Sequence, residues 1–321
     1  MSEELSFDPF PFFEGPHYQT IINSMFNFFS EPLSVQKIIS LQDGDKISLE
    51  ITTPKNWKPT DLTVVLVHGL CGSHKVPNLI RMAKKLEPLG VKVVRFNMRG
   101  CGSGRGLAKE IYHSGSSDDV FEAIKILKKE FSESPIVLIG FSLGGNIVLK
   151  LAGELGNSAS KFLKGVIAIS PPVDLYSSVL MIGNASNAMY ERYFYRILRS
   201  EIMYRYRKFN TPHPNLPKDL KLYEFDQLYV APRYGFKDVL DYYSRCSAIN
   251  FIDNINLPCK ILMAEDDPIV SSYSLDDRTL NSGISVFKTK KGGHLGYLGD
   301  PRSEQGFHWL DTLLLDWIFK F

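Results

Sequence analysis

No run of about 18 consecutive apolar residues occurs in the chain, so no transmembrane helix is expected. Cysteine is scarce. Cys71, Cys101, Cys246 and Cys259 are widely spaced and form no CxxC pair, which speaks against a zinc ribbon or a thioredoxin-like motif. They read as free thiols in a reducing compartment. An excess of one charge sign is also missing. Lys and Arg number 37 against 35 Asp and Glu, for a formal net charge of +2, so nothing global points to nucleic acid. The start, Met1-Ser2-Glu3-Glu4, is acidic and no signal-type apolar core follows. The cytoplasm is therefore the default location. Neither a GxxxxGKS/T phosphate loop nor an HExxH zinc motif is present, and no metal or organic cofactor is expected.

What is present suits a folded α/β protein. The chain has 321 residues, 44% hydrophobic and 22% charged, enough for one large domain with a sizeable core. Strand-like runs fall at Gln36–Leu41, Lys46–Thr52, Thr63–His68, Val91–Asn97, Pro135–Gly140, Gly165–Ser170, Cys259–Ala264 and Ser285–Lys288. Gln42-Asp43-Gly44-Asp45 between the first two is a hairpin signal. Helical patterns follow the later strands at 76–88, 117–130, 144–155, 235–247 and 303–319. Such alternation predicts right-handed crossovers and a mostly parallel eight-stranded sheet with helices on both faces.

Two stretches break the rhythm. Residues 1–33 form an aromatic-rich arm holding Phe7, Phe10, Phe12, Phe13, Tyr18, Phe26, Phe28 and Phe29. Pro9, Pro11 and Pro16 interrupt it, so a helix is not expected before about residue 18. The arm reads as an extended segment laid over the domain, with a membrane-dipping arm as the alternative. Residues 172 to about 234 carry no clear strand, but do carry Tyr190, Tyr193, Phe194, Tyr195, Tyr204, Tyr206 and Phe209 interleaved with arginines. A long insert between sheet strands is usually a lid or cap. The reading is a helical cap with a solvated basic face, against a surface for nucleic acid or anionic lipid.

Four short motifs carry chemistry. Gly140-Phe141-Ser142-Leu143-Gly144 joins the apolar run Ile136–Ile139 to a helical pattern, the setting a nucleophile elbow requires. GxSxG alone arises by chance in roughly one chain in ten of this length; the strand–turn–helix context is what lifts it. Ser142 must stand on a very tight turn, and Gly140 and Gly144 keep side chains out of it. His68-Gly69-Leu70 ends another strand, where the loop supplies one oxyanion N–H. Leu70 and Leu143 are the candidate donors, and the His68 side chain is read only as a strand-end group that orients the loop. Asp267, followed by Pro268-Ile269-Val270, is preferred to Glu265 and Asp266 as the acid. His294, in Gly292-Gly293-His294-Leu295-Gly296, follows the next strand. The Gly100–Gly106 stretch opens no helix, and is read as a loop at the rim of the site.

The order Ser, Asp, His, each at the end of a strand, implies a nucleophilic serine site at the carboxyl edge of an open sheet. The chain also resembles the YheT-like branch of the α/β-hydrolases, a group of esterases and lipases. The resemblance lies in Gly15-Pro16-His17-Tyr18-Gln19-Thr20, Val67–Leu70, Phe96–Gly102, Gly140–Gly145, Glu224-Phe225-Asp226, Ala231–Phe236, Tyr242-Tyr243, Asp267-Pro268 and Gly293-His294. It implies a single α/β-hydrolase domain over 1–321, a Ser142–Asp267–His294 triad and cleavage of carboxylic esters, with acyl lipids as one candidate class. The expected partner is a small-molecule ester, with no nucleic acid and with peripheral membrane contact left open. An acyltransferase using the same triad and a non-catalytic binding module are the rival readings.

Overall fold

A computed structural model describes residues 2–25 and 29–321. Phe26 and Phe28 of the aromatic arm lie outside the described residues. The strands are β1 Glu3–Glu4, β2 Val35–Ser40, β3 Lys46–Thr52, β4 Thr63–Val67, β5 Lys92–Asn97, β6 Ile136–Phe141, β7 Gly165–Ile169, β8 Cys259–Ala264 and β9 Ile284–Thr289. They form one sheet in the order β1-β9-β8-β7-β6-β4-β5-β3-β2. Pairing is antiparallel only for β2 with β3 and β3 with β5. The sheet thus has nine strands rather than the eight read from sequence. The ninth, β1, is two residues long and pairs parallel with β9 from the edge, too short to leave a periodic signature.

The helices are α1 Pro16–Met25, α2 Pro77–Leu86, α3 Ser117–Glu130, α4 Leu143–Leu155, α5 Leu175–Ile182, α6 Ala188–Phe209, α7 Leu222–Phe225, α8 Ala231–Arg233, α9 Val239–Cys246 and α10 Trp309–Phe319. Period-2 alternation in the central strands splits the core. Val65 and Val67 of β4 join one apolar cluster, with Ile124 of α3 and Ile147 of α4. Val64 and Leu66 join a second, with Leu79 of α2 and Leu314 of α10. Both faces of β4 are therefore covered, as its unbroken Thr-Val-Val-Leu-Val run requires.

Three sequence readings need correction. Helix α1 begins at Pro16, two residues before the expected limit, because proline is disfavoured inside helices but suited to the first turn, where its missing N–H has no helical partner. The expected helix over 303–319 begins only at Trp309; a turn through Gly306 and a bridge between Leu298 and His308 occupy the start. The expected helix over 235–247 begins at Val239, where the Asp238 side chain accepts from the Asp241 N–H at 2.8 Å and caps it. Between β7 and β8 the chain makes helices α5 to α9 and no sheet strand. No helix among the described residues is long and apolar enough to cross a membrane.

Candidate active site

The sheet delivers its chemistry at the carboxyl ends of its strands. Strand β6 ends at Phe141 and α4 starts at Leu143, leaving Ser142 alone in the turn with φ 52° and ψ −122°. That conformation is costly for a residue with a Cβ. The two flanking glycines permit it by letting backbone pack against backbone. A Cβ on Gly140 would lie 2.2 Å from the Gly144 carbonyl oxygen, and one on Gly144 would lie 2.5 Å from the His68 carbonyl oxygen. The collisions that exclude side chains are thus with backbone, not between the two side chains.

Three elements converge on Ser142. His294 Nε2 lies 2.8 Å from Ser142 Oγ, and its Nδ1 lies 2.8 Å from Asp267 Oδ2. A carboxylate only accepts, so Nδ1 carries the proton and Nε2 accepts from the serine hydroxyl. Asp267 sits three residues past β8. Its Oδ1 accepts from the Ile269 and Val270 N–H groups at 2.8 and 3.0 Å. With Asp267 4% and His294 9% exposed, the link between them is shielded from water, while Ser142 opens onto the cavities.

Leu70 and Leu143 line a cavity together with Ser142. The loop that carries Leu70 abuts the serine so closely that a Cβ on Gly69 would lie 3.0 Å from Ser142 Cβ. The helix dipole of α4 points its positive end at the same place. The His68 side chain is fully buried and only supports the loop. Its Nδ1 donates to the Gly69 carbonyl at 2.8 Å, and Nε2 accepts from the Met98 N–H at 3.2 Å. Burial pushes its pKa down to about 4.

The 100–106 loop does not reach the site, contrary to the rim reading. Among the described residues it lines neither cavity at Ser142. It packs instead under α6, whose Arg205 donates to the Arg99 carbonyl at 3.1 Å. The four cysteines are free, and burial raises the pKa of each, to about 12 for Cys101, Cys246 and Cys259. None is poised as a thiolate nucleophile. Among the described residues no group of three or more His, Cys, Asp or Glu is placed to hold a metal ion.

Sequence reasoning missed the residues that hold the histidine loop. The His294 N–H donates to Thr20 Oγ1 of α1 at 2.9 Å. Asn23, one turn later, donates to the Leu295 carbonyl at 2.8 Å. Gln19 accepts from the Leu298 N–H at 2.7 Å and donates to the Leu298 carbonyl at 3.1 Å. On the other side, Asp266 Oδ1 accepts from the Gly293 N–H at 2.8 Å. Gly293 has φ 55°, and a Cβ there would lie 2.4 Å from the Pro16 carbonyl oxygen. The signal was in the sequence as Gly15–Thr20, but nothing local ties that hexapeptide to a histidine nearly the whole chain away.

Comparison with known proteins bears on this geometry. The family model described as alpha/beta hydrolase fold matches residues 63–301. The chain belongs to that family. Its similarity to the YheT protein of Escherichia coli (strain K12) is 29% identity, covering 99% of this chain and 94% of that one. A monoacylglycerol lipase of Saccharomyces cerevisiae (strain ATCC 204508 / S288c) is 27% identical over 74% of this chain and 55% of its own. Among solved structures, an esterase of Pyrococcus furiosus aligns over 90% of both chains with a TM-score of 0.55 at 17% identity. At that identity the likeness concerns the fold.

Proposed function

We propose that this α/β-hydrolase is a serine esterase acting on carboxylic esters through an acyl-enzyme. The observation that carries the reading is the unbroken hydrogen-bonded line from Ser142 Oγ through the His294 imidazole to Asp267, at 2.8 Å for each link. In this mechanism Ser142 Oγ attacks the ester carbonyl while His294 Nε2 takes its proton. Asp267 fixes the tautomer and stabilises the imidazolium. The N–H groups of Leu70 and Leu143 hold the oxyanion, each worth roughly 3 kcal/mol of barrier. His294 then protonates the leaving alcohol, and water, activated by the same imidazole, cleaves the acyl-enzyme. Support comes also from relatives with ester-cleaving names, such as the yeast monoacylglycerol lipase.

The substrate's apolar character follows from the walls. Two cavities meet at Ser142, sharing Leu70, Phe194 and Ile269, and both are lined mainly by apolar side chains. The test is steady-state hydrolysis of p-nitrophenyl esters by wild type and Ser142→Ala. The reading predicts loss of turnover by at least about a thousandfold in the variant. Wild-type rates in Ser142→Ala would overturn it.

A further inference from the structure

The two cavities at Ser142 are not equivalent, and His294 tells them apart. The imidazole must protonate the leaving alcohol, so the alcohol occupies the cavity that His294 lines. That is the one bounded by α1, α2 and the start of α6, with Thr20, Asn78, Met189, Tyr190 and Tyr193 in its wall. The acyl group is left with the other cavity, bounded by Leu143 and by α5, α6, α7 and α9. This assignment rests on the esterase reading above.

The acyl-side cavity has an anomaly in its wall. Most of its lining is aliphatic or aromatic, yet Asp226 faces it together with Tyr243. Tyr243 Oη donates to Asp226 Oδ2 at 2.8 Å. Among the described residues no ion pair includes Asp226, and Tyr243 is the only side chain that hydrogen-bonds to its carboxyl. The other carboxyl oxygen, Oδ1, has no hydrogen-bond partner among the described residues, and Asp226 is part of the cavity wall. Burial raises the carboxyl to about 7, with the Tyr243 hydrogen bond opposing. A partly buried carboxyl in a mostly apolar wall, without a cation, is a cost to the fold. Groups of this kind, set in a cleft, are candidates for ligand contact. The backbone singles out the same spot. Asp226–Val230 is a π-helical turn inserted between α7 and α8, an irregularity that carries its own cost and clusters at functional sites. The mechanism uses neither Asp226 nor Tyr243.

We infer that the acyl-side cavity selects acyl groups bearing a hydroxyl, and that the carboxyl of Asp226 accepts the hydrogen bond from it. The aliphatic surroundings favour a hydroxyl over an ammonium group. An alcohol costs far less to strip of water than a cation does, and the cavity offers the cation a single carboxyl in return.

The test uses the purified full chain and p-nitrophenyl esters of octanoate, of octanoates hydroxylated at each position along the chain, and of the corresponding amino-octanoates. The quantity read is the ratio of kcat/KM for each substituted ester to that of plain octanoate. In an assay above pH ~8, where a carboxyl held at about 7 is ionised, the inference predicts a ratio of about ten or more for at least one hydroxylated isomer, the ordinary yield of a hydrogen bond to a charged acceptor. It also predicts collapse of that ratio toward one in Asp226→Leu. Asp226→Asn keeps the shape and one acceptor, and Tyr243→Phe keeps the carboxyl; both report on the ratio if the leucine variant does not fold. The asparagine should retain part of the preference. A ratio near one for every hydroxylated ester in wild type would overturn the inference, as would an unchanged ratio in Asp226→Leu or a stronger preference for the amine. Failure of plain octanoate to be cleaved at all would instead strike the esterase reading, which separates the two.

Discussion

Replacing Thr20 by valine removes one oxygen and little volume, and it tests whether an arm far from the nucleophile in sequence sets the reaction rate. Thr20 Oγ1 accepts from the His294 N–H at 2.9 Å and donates to the Pro16 carbonyl at 2.7 Å. The residue is 8% exposed, so water cannot readily replace the hydroxyl. Valine leaves a buried donor on the histidine itself without a partner, a cost of about 1–3 kcal/mol. If all of it falls on the positioning of the imidazole, kcat drops between about fivefold and about 150-fold. Asp266 and Asn23 still hold the loop on either side of His294, so the lower half of that range is expected. KM should change by less than about twofold, because valine keeps the bulk that Thr20 presents to the cavity wall while the hydroxyl itself is engaged with His294 and Pro16. Thr20→Ser restores the acceptor and should recover most of the rate. The assay is ester hydrolysis with thermal melting in parallel. Wild-type kcat in a well-folded Thr20→Val would refute the idea that α1 positions the histidine. A fall in kcat that serine does not rescue would point to packing instead.

Two further outcomes concern stability. Burial lowers the pKa of His68, His113 and His308 from 6.5 to about 4. The unfolded chain therefore binds more protons than the folded one between these values, and stability should be intact above pH ~6.5 and decline as pH falls toward about 4. Melting temperatures taken through that window should drop with a slope approaching three protons; a flat profile would contradict it. Arg81 and Asp311 form a buried pair at 2.9 Å, with side chains 2% and 1% exposed. Asp311→Ala strands the guanidinium, and urea unfolding should show a loss of about 3–5 kcal/mol. A loss below about 1 kcal/mol would mean that Asn78, Asn23 and local water suffice for Arg81.

How much of this was legible in the sequence depended on whether the signal was local. The central strands β4, β6 and β7 announce themselves, because burial on both faces demands continuous apolar runs such as Ile136–Ile139. Ser142 was legible because strand, glycines and helix sit together within one short stretch. Asp267 and His294 were legible only jointly, through their order and their places after β8 and β9. What escaped was long-range or too short to repeat. Strand β1 has two residues. Helix α1 was hidden by reading Pro16 as a breaker when it stands where a proline fits. Thr20 and Asn23 meet the His294 loop only after the chain has closed on itself. The 100–106 loop was misplaced because its glycines looked like a site; the structure gives them Arg205 and His74 as close neighbours instead. Asp226 stood within a family-like triplet, Glu224-Phe225-Asp226, but its cavity forms only when the insert folds over Ser142.

The central claim is that Ser142 is an activated nucleophile. A fluorophosphonate that reacts with activated serines should label the wild-type chain, and peptide mapping should find the label on Ser142 alone. Ser142→Ala should take up none, and His294→Ala should label far more slowly. Absence of labelling on a folded wild-type chain, or labelling that persists in Ser142→Ala, would contradict the account.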